Sequence, residues 1–465
     1  MMNGKAKRHA MCAAVLLALL ALGALALGLR LHGARTMTAQ QEPIAAQDGR
    51  DFMQASLTYD PGTRTLRGTQ TLTATNRGGE ARTEAVLRLY MNGEAGASVS
   101  VSGVTVDGRS VSCSQEEDDP TVLRIPFDWA AGQTVEVGFT VMIKHAQTDA
   151  AALITLPALA VFEDGAWRTD AFDELADPSY AEAFDCTISL VSPDEAKAAF
   201  GGALIKSRWE TGVGETLYTA QMQGARDIAF ALCKGGAVRQ RQVDGVLVTA
   251  IAGGSATASA LLARAQEALE SLDKAGFAYP FASLTVAQAD AGREDGLALS
   301  GLCALSAEGD RETLLRRMTR LVARQTFGVL VENDPWQAPW LSQTLASTAE
   351  LLAYRARKGE DAFYTRYYEQ IEVATRLTRP HGVTVGAGTD HFGGDAEMTQ
   401  VLRDQGAAMM IGIEQAVGEE AFLDALQAYV RENAGGIADR AAMEAALDAA
   451  TGSRWDGYLE DELTW

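Results

Sequence analysis

The sequence has few of the side chains that usually carry catalysis or bind a metal. Its 465 residues include five histidines and five cysteines. No two histidines stand four residues apart and no two cysteines have C-x-x-C spacing, which excludes the H-E-x-x-H zinc helix, a zinc ribbon and a redox dithiol. The chain also lacks a G-x-S-x-G turn, a P-loop and a G-x-G-x-x-G fingerprint. The common catalytic sites therefore have no signature in this sequence.

Basic residues are scarce relative to acidic ones. The chain has 40 Lys and Arg against 61 Asp and Glu, a net charge of -21. Nucleic acids and anionic surfaces are therefore poor partners for it. Hydrophobic residues at 47% and charged residues at 22% are ordinary for a folded protein, and the length suffices for two or three domains.

The cysteines are too few for a disulfide scaffold. A bridge between Cys186 and Cys233 would require their strands to be neighbours, whereas buried free thiols are the commoner state. The sequence leaves this pairing open.

One long apolar run is present near the N-terminus. Residues 10–29 are uncharged and would form a helix of about 30 Å, the thickness of the hydrocarbon layer. Lys5, Lys7 and Arg8 precede the run, which predicts a cytoplasmic tail (1–9), an uncleaved signal anchor (10–31) and an exported remainder held at the cell membrane by a single pass. A cleaved signal ending near Ala26 is the alternative, although the run is longer than the usual apolar region of about 7–15 residues. Residues 32–50 are polar and predict a linker.

The periodicity of the exported part changes along the chain. Short alternating runs separated by Gly, Asp and Pro predict an antiparallel β-sandwich over residues 51–240. Its acidic run at 115–119 fits a hairpin tip better than a calcium loop, which needs more oxygen ligands. Residues 241–465 predict an α+β domain whose C-terminal part is helical. The predicted helices in that part are 311–327, 341–357, 360–378, 398–416, 419–433 and 439–450, with a short last piece to residue 465.

Two predicted helices within residues 310–358 are the most informative stretch. In the first, Leu315, Met318 and Val322 fall on one face at helical spacing, and Arg316, Arg320 and Arg324 fall on the opposite one. In the second, helical spacing puts Gln343, Ser347, Glu350 and Tyr354 on a common face. The turns NDPW and APW separate the two helices.

Taken in order, these pieces resemble the zinc aminopeptidases of the membrane alanine aminopeptidase (aminopeptidase N) type. The resemblance runs from about residue 55 to 462 and rests on LRGTQTLTATN, VLRLYMN, ARDIAFAL, RLVARQ, VENDPW and PWLSQTLA. It implies the gluzincin architecture, in which a β-sandwich precedes a thermolysin-like domain. The predicted fold class is therefore α+β multidomain, behind one transmembrane helix.

The resemblance also implies where a zinc site would lie. The two zinc histidines of the family fall on Arg320 and Arg324, its catalytic Glu on Leu321, its zinc Glu on Gln343 and its transition-state Tyr on Arg403. The GRED loop keeps only Gly292 and Glu294 of the loop that binds the substrate amine. A guanidinium is always charged and has no lone pair to donate, and leucine cannot accept a proton. We therefore expect no metal, no cofactor and no catalytic residue.

These observations predict a pseudoenzyme that binds a peptide or protein ligand in the former active-site cleft. The candidate cleft residues are Arg293, Glu294, Arg320, Arg324, Gln343 and Glu350. We expect Glu350 and Glu294 to neutralise Arg320 and Arg324; a rival hypothesis leaves these arginines free to hold a carboxylate.

Two other readings of the function remain open. One is a working zinc aminopeptidase with displaced ligands, and the other is an adhesion module built on the β-sandwich. The loop TDHFGGD, with Asp390, His391 and Asp395, has metal-compatible residues but no ligand spacing, and fits a solvated loop better.

Overall fold

The computed structural model describes residues 49–148, 150–210, 214–290, 292–372 and 383–464. The predicted cytoplasmic tail, the signal anchor over 10–31 and nearly all of the linker lie outside these residues. Within them, the apolar length needed to cross a bilayer is not reached by any helix.

The first half of the described chain is built from strands. Side chains on β-strands alternate between two faces, and the first strand shows this directly, since Met53, Ala55, Leu57 and Tyr59 are buried while their neighbours are more exposed. The strands are β1 (Asp51–Asp60), β2 (Thr65–Thr75), β3 (Arg82–Arg88), β4 (Ser98–Val106), β5 (Arg109–Ser110), β6 (Ser114–Gln115), β7 (Val122–Trp129), β8 (Thr134–Lys144), β9 (Ala152–Thr155), β10 (Ala158–Leu159), β11 (Phe162–Glu163), β12 (Ala166–Trp167), β13 (Phe184–Pro193), β14 (Ala196–Phe200), β15 (Ala203–Glu210), β16 (Glu215–Ala225) and β17 (Ala229–Lys234).

These strands form a large sheet with smaller sheets beside it. The large sheet has eight strands in the order β15-β16-β13-β1-β2-β8-β4-β5, and the others have the orders β10-β3-β7-β6, β14-β17-β9 and β11-β12. One pairing differs from the predicted antiparallel sandwich, because β1 and β13 run parallel, with Asp51 opposite Phe184. Parallel partners need a long crossover between them, and local alternation carries no information about it. The acidic run lies at the turn between β6 and β7.

The second half begins with a five-stranded sheet. Its strands are β18 (Ala237–Val243), β19 (Val246–Ala252), β20 (Ser283–Gln288), β21 (Leu297–Leu299) and β22 (Leu302–Leu305), in the order β18-β19-β20-β22-β21. The boundary predicted between residues 240 and 241 falls inside β18. The loop between β20 and β21 carries Arg293, Glu294 and Asp295, which reach the site described below.

Helices cover this sheet and make up the C-terminal part. They are α1 (Ser255–Lys274), α2 (Arg311–Arg324), α3 (Trp340–Lys358), α4 (Glu360–Arg366), α5 (Asp395–Thr399), α6 (Gly406–Val417), α7 (Glu419–Asn433), α8 (Arg440–Thr451) and α9 (Asp456–Thr464). Wider helical turns follow α2 at Gln325–Leu330, follow α4 at Tyr367–Glu372 and join α5 to α6 at Gln400–Gln405. The regular helices predicted at 311–327, 360–378 and 398–416 are therefore interrupted, and residues 373–378 lie outside the described residues. Non-helical dihedrals at Phe327 mark the first interruption, next to Gly328, a poor helix former.

The cysteines of the described chain are free. Cys186 lies on β13 in the eight-stranded sheet, whereas Cys233 lies on β17 in a separate three-stranded sheet. Burial raises the pKa of Cys186 to about 12, so its thiol stays protonated. The pairing that the sequence left open is not formed.

A buried arginine ties the two halves together. Arg226, just after β16, donates to the carbonyl oxygens of Ala181, Val329 and Gly436 at 2.9, 3.0 and 2.7 Å. Glu332 is also fully buried, and its Oε2 has no hydrogen-bond partner. Burial outweighs the opposing charge of Arg226 and raises the pKa of Glu332 well above its ordinary value.

Glu332 should make the fold less stable as the pH rises from mildly acidic values. The unfolded chain releases the Glu332 proton above about pH 4.3, whereas the folded protein retains it, so stability should fall from that pH upward until the folded carboxyl ionises. Glu332→Gln, which keeps the shape without the charge, should be more stable than wild type by about 1 kcal/mol or more at pH 8 and equal to it near pH 4.5. Urea unfolding at pH 4.5, 6 and 8 measures this. Parallel pH profiles for the two proteins would contradict it.

Candidate functional site

The site is built on α2, whose sequence fixes its start and its buried face. The Asp310 side chain accepts a hydrogen bond of 2.8 Å from the Thr313 backbone N–H and so caps the helix. Leu315, Met318 and Val322 are buried in the core, as their spacing predicts. Leu321, at the position where the resemblance places a catalytic Glu, is also fully buried there.

The arginines of α2 are not a solvated face. The side chains of Arg320 and Arg324 are only 9% and 5% exposed, and Arg316 is half-buried. A buried charge is tolerated only when it is paired and hydrogen-bonded. Each of the two buried guanidinium groups must therefore meet a carboxylate.

Arg320 is held by the loop between β20 and β21. Its guanidinium forms a two-pronged ion pair with Asp295, in which Nε donates to Oδ2 at 2.8 Å and Nη2 donates to Oδ1. Its Nη1 also lies 3.8 Å from Oε2 of Glu350. Burial alone would raise the pKa of Asp295, but Arg320 and then Arg403 outweigh it and hold the pKa below its ordinary value. Asp295 is therefore ionised at neutral pH.

Arg324 is held by a segment of the β-rich half. Its Nη2 donates to Oδ2 of Asp177, in the connection between β12 and β13, and Arg293 donates to Oδ1 of the same carboxylate at 3.2 Å. Arg293 also donates to the carbonyl oxygens of Glu174 and Ala176. Burial would raise the pKa of Asp177, but Arg324 and Arg293 outweigh it and lower that pKa. Asp177 therefore joins α2 to the β-rich half.

Glu350, on α3, has a different main partner from the expected one. The side chain of Glu350 is 4% exposed, and its two carboxylate oxygens accept hydrogen bonds of 2.9 and 2.5 Å from Arg366 on α4. Such two-pronged arginine–carboxylate pairs are strong and geometrically specific. Glu350 therefore fixes α4 on α3 and contacts Arg320 only at the longer distance.

The expected partners of the arginines are thus partly wrong. Glu294 does not neutralise Arg320 or Arg324; its side chain is 44% exposed and Oε1 lies 3.3 Å from Arg403. The next residue in the loop, Asp295, reaches Arg320 instead. Consecutive side chains of this bent loop point in different directions, so a shift of one residue decides which acid faces the helix.

Three charged residues of the site were missed by sequence reasoning. Asp295 follows Glu294 directly, and its position in the same loop could have suggested it. Asp177 and Arg366 are remote from α2 in the sequence and belong to other elements, so no local spacing indicates that they meet it.

The predicted cleft is divided by these ion pairs. On one side, Glu294, Arg320 and Glu350 line a pocket of about 240 Å³ together with Arg316 and Arg366. On the other side, Arg293, Arg324 and Gln343 line a much smaller one. Arg403 borders both. All six predicted cleft residues therefore line a cavity, but they are divided between two cavities.

A separate cavity of about 470 Å³ lies on the far side of Arg293. Glu94, His145 and Phe172 contribute to its lining from the β-rich half. His145 is 2.9 Å from the Tyr59 hydroxyl, and burial lowers its pKa. No local pattern predicts this cavity, because its lining comes from several separate segments.

The TDHFGGD loop does not gather its acidic residues around His391. Asp390 and His391 form an exposed pair at 2.8 Å, and Asp395 instead accepts a hydrogen bond of 2.7 Å from the Glu294 backbone N–H. Over the part of the chain that the structure describes, no three or more His, Cys, Asp and Glu side chains are grouped as a metal would need.

Comparison with known proteins gives a likeness in sequence and several in structure. No family model matches the chain. Aminopeptidase M1-B of Oryza sativa subsp. japonica is 25% identical over 153 residues, which are 32% of this chain and 17% of the rice protein. The matched region is thus a small part of that relative.

The structural likeness covers nearly the whole chain. A mutant M1 zinc metallopeptidase from Deinococcus radiodurans superposes with a TM-score of 0.65 and 19% identity, over 91% of this chain and 96% of that one. A mutant two-domain M1 zinc metallopeptidase bound to L-arginine gives 0.64 and 19%, over 92% and 96%. At this identity the likeness establishes the fold. The chain has the mixed α+β, multidomain fold of the M1 zinc metallopeptidases.

Proposed function

We propose that this protein is a non-catalytic member of the aminopeptidase fold that binds a peptide or protein ligand. The observation that carries the proposal is the ion-pair network around α2. Arg320 and Arg324 stand where the resemblance places the two zinc histidines, and Asp295 and Asp177 neutralise them. Arginine–carboxylate pairs take the place of a metal centre.

The residues at these positions do not fit zinc. A guanidinium offers no lone pair and its charge repels a cation. Gln343 retains a carbonyl oxygen, but a single neutral amide is a poor substitute for the histidine and carboxylate ligands that zinc prefers. Asp177 and Asp295 have suitable oxygens, yet each is already engaged by at least one buried arginine. Leu321 cannot act as the general base.

The alternative is a working zinc aminopeptidase whose ligands have moved elsewhere. Its support is the fold, since the structural neighbours are named as zinc metallopeptidases. Fold by itself does not carry function, which depends on the groups at the site. The non-catalytic proposal accounts for the paired arginines, whereas the alternative does not explain why two arginines occupy these positions.

We place the protein at the cell membrane, with its bulk outside the cytoplasm. Residues 10–29 support this through their apolar length, and Lys5, Lys7 and Arg8 support the orientation. The anchor would hold the ligand-binding part close to the membrane surface through the linker at 32–50.

Metal content and turnover test the proposal. The full chain is purified in detergent and dialysed against a buffer that contains zinc. Elemental analysis should then find less than one zinc ion per protein molecule. The protein should not hydrolyse aminoacyl anilides, and a chelator should change neither its melting temperature nor its background rate. Zinc-bound metallopeptidases respond to chelators in both measurements because metal binding is coupled to the fold. Stoichiometric zinc together with chelator-sensitive turnover would establish the alternative.

A further inference from the structure

An open pocket of about 240 Å³ lies beside the ion-pair network. Helices α2 and α3 form two of its walls, and Arg366 of α4 and Arg403 of the turn before α6 complete it. The pocket is large enough for about one or two amino-acid residues. It is the larger of the two cavities into which the ion pairs divide the predicted cleft.

The charges on the pocket wall are unbalanced. Five guanidinium groups and three carboxylates line it. Asp295, just behind Arg320, supplies a fourth carboxylate, so a single positive charge remains in excess. This contrasts with the protein as a whole, which carries a net charge of -21.

Arg316 is the least compensated guanidinium of the pocket. Within the described ranges no carboxylate forms an ion pair with Arg316 or Arg317, whereas Arg320, Arg366 and Arg403 each have one. Arg317 donates instead to the backbone carbonyl oxygen of Glu308 at 3.3 Å, so among the described residues Arg316 is the pocket guanidinium without an acceptor. Burial, and then the neighbouring Arg366, lower the pKa of Arg316, with Glu350 acting in the opposite direction. A half-buried guanidinium among other guanidinium groups is poorly compensated, and an anion would relieve this repulsion.

The remaining lining indicates which kind of anion fits. Thr313 and Ser347 provide hydroxyl groups, and Leu351 and Ile371 provide apolar surface. An excess of one positive charge matches a monoanionic carboxylate, whereas a phosphate dianion would leave the pocket negative. The apolar surface beside the arginines suits the aliphatic part of an amino acid that carries this carboxylate.

We propose that this pocket binds a carboxylate of a peptide ligand and that Arg316 is its principal partner. The proposal rests on the proposed function, because it names the ligand group that the non-catalytic cleft would recognise. The carboxylate can belong to an acidic side chain or to a peptide C-terminus, which offer the same chemistry. Titration of defined peptides distinguishes the two sources.

Isothermal titration calorimetry with the full chain in detergent is the test. The probes are acetyl-Ala-Ala-Ala-Glu-amide, with a side-chain carboxylate only, acetyl-Ala-Ala-Ala-Ala, with a terminal carboxylate only, acetyl-Ala-Ala-Ala-Gln-amide, which has neither, and inorganic phosphate. At least one carboxylate peptide should bind about tenfold or more tightly than the neutral peptide, as expected for a charge-assisted hydrogen bond. The carboxylate peptide that binds more tightly shows whether the pocket prefers an acidic side chain or a peptide C-terminus.

Variants on α2 connect the binding to Arg316. Arg316→Gln should weaken binding of the carboxylate peptide about tenfold or more, and Arg316→Lys, which keeps the charge, should weaken it less. Arg311→Gln is the matched control, because Arg311 is on the same helix but its ion pair with Glu267 lies outside the pocket. This control should bind as wild type does. Melting temperatures show whether each variant is folded.

Several results would overturn the pocket assignment. They are equal binding of the neutral peptide, a preference for phosphate over both carboxylate peptides, unchanged binding by folded Arg316→Gln, or no binding of any probe. Equal binding of the neutral peptide would leave the proposed function standing, because the cleft would still hold a peptide. Stoichiometric zinc with turnover would instead remove the proposed function, whatever the titrations show.

Discussion

Replacing Glu350 with glutamine should destabilise the protein by about 3–5 kcal/mol, the usual effect of removing one partner from a buried ion pair. Glu350 accepts both hydrogen bonds of Arg366 and lies 3.8 Å from Arg320. Without the carboxylate, Arg366 becomes an uncompensated buried charge, and Arg320 loses its second acid. Urea unfolding followed by circular dichroism at pH 7 measures the loss.

Glu419→Gln is the matched control for Glu350→Gln. Glu419 also pairs with an arginine, at 3.1 Å from Arg355, but its side chain is 60% exposed. Exposed pairs contribute about 1 kcal/mol or less, so this variant should unfold close to wild type. Similar losses for the two variants would show that Glu350 is not a buried anchor.

A second substitution separates the ion pair from the packing of its two side chains. Arg366→Met, added to Glu350→Gln, removes the charge that the first change leaves stranded. Replacing both members of a buried pair with uncharged groups is often close to neutral. The double variant should therefore recover a substantial part of the lost stability, and failure to recover any would mean that the loss comes from packing.

Asp177→Asn should destabilise the protein by a similar amount, about 3–5 kcal/mol at pH 7. This carboxylate receives Arg324 and Arg293 at once, so two mostly buried guanidinium groups lose their anion. The change also loosens the contact between α2 and the β-rich half. Asp424→Asn, at an exposed position of α7, is the control and should have little effect.

The loss at Asp177 should have a characteristic dependence on pH. The arginines hold the pKa of the folded carboxyl below its ordinary value, so ionised Asp177 stabilises the fold above about pH 4. That contribution disappears as the pH falls through the folded pKa. Wild type should therefore lose more stability than Asp177→Asn between about pH 4.5 and the acid limit of the folded state. An equal loss for both proteins would contradict the assignment.

Local pattern was sufficient for the outline of the fold. Alternation of apolar and polar residues identified the β-rich first half, and helical spacing identified α2 and α3. In both cases the repeat distance of the apolar residues shows which face of the element is buried. The interruptions after Arg324 and around Gln400–Gln405 were not predicted. They involve a few residues whose backbone is set by tertiary packing, and neither Pro nor a helix cap marks the second.

The site was predictable as a location but not as a set of contacts. Arg320 and Glu350 come within 3.8 Å of each other, as the two-helix pattern suggested, whereas Arg324 lines a different cavity. Their partners Asp177 and Arg366 lie far away in sequence, and which acid meets which arginine depends on how loops and helices pack. Glu294 and Asp295 show how fine this dependence is, since neighbouring acids in one loop serve different arginines.

The parallel pairing of β1 with β13 sets the order in which the protein can assemble during synthesis. A chain that emerges from its N-terminus presents β1 and β2 early, but the other edge of β1 stays unpaired until Phe184–Pro193 has been delivered. Unpaired edges invite association with other chains, and non-local strand pairing is slow. The central sheet therefore cannot be completed until β13 has been synthesised.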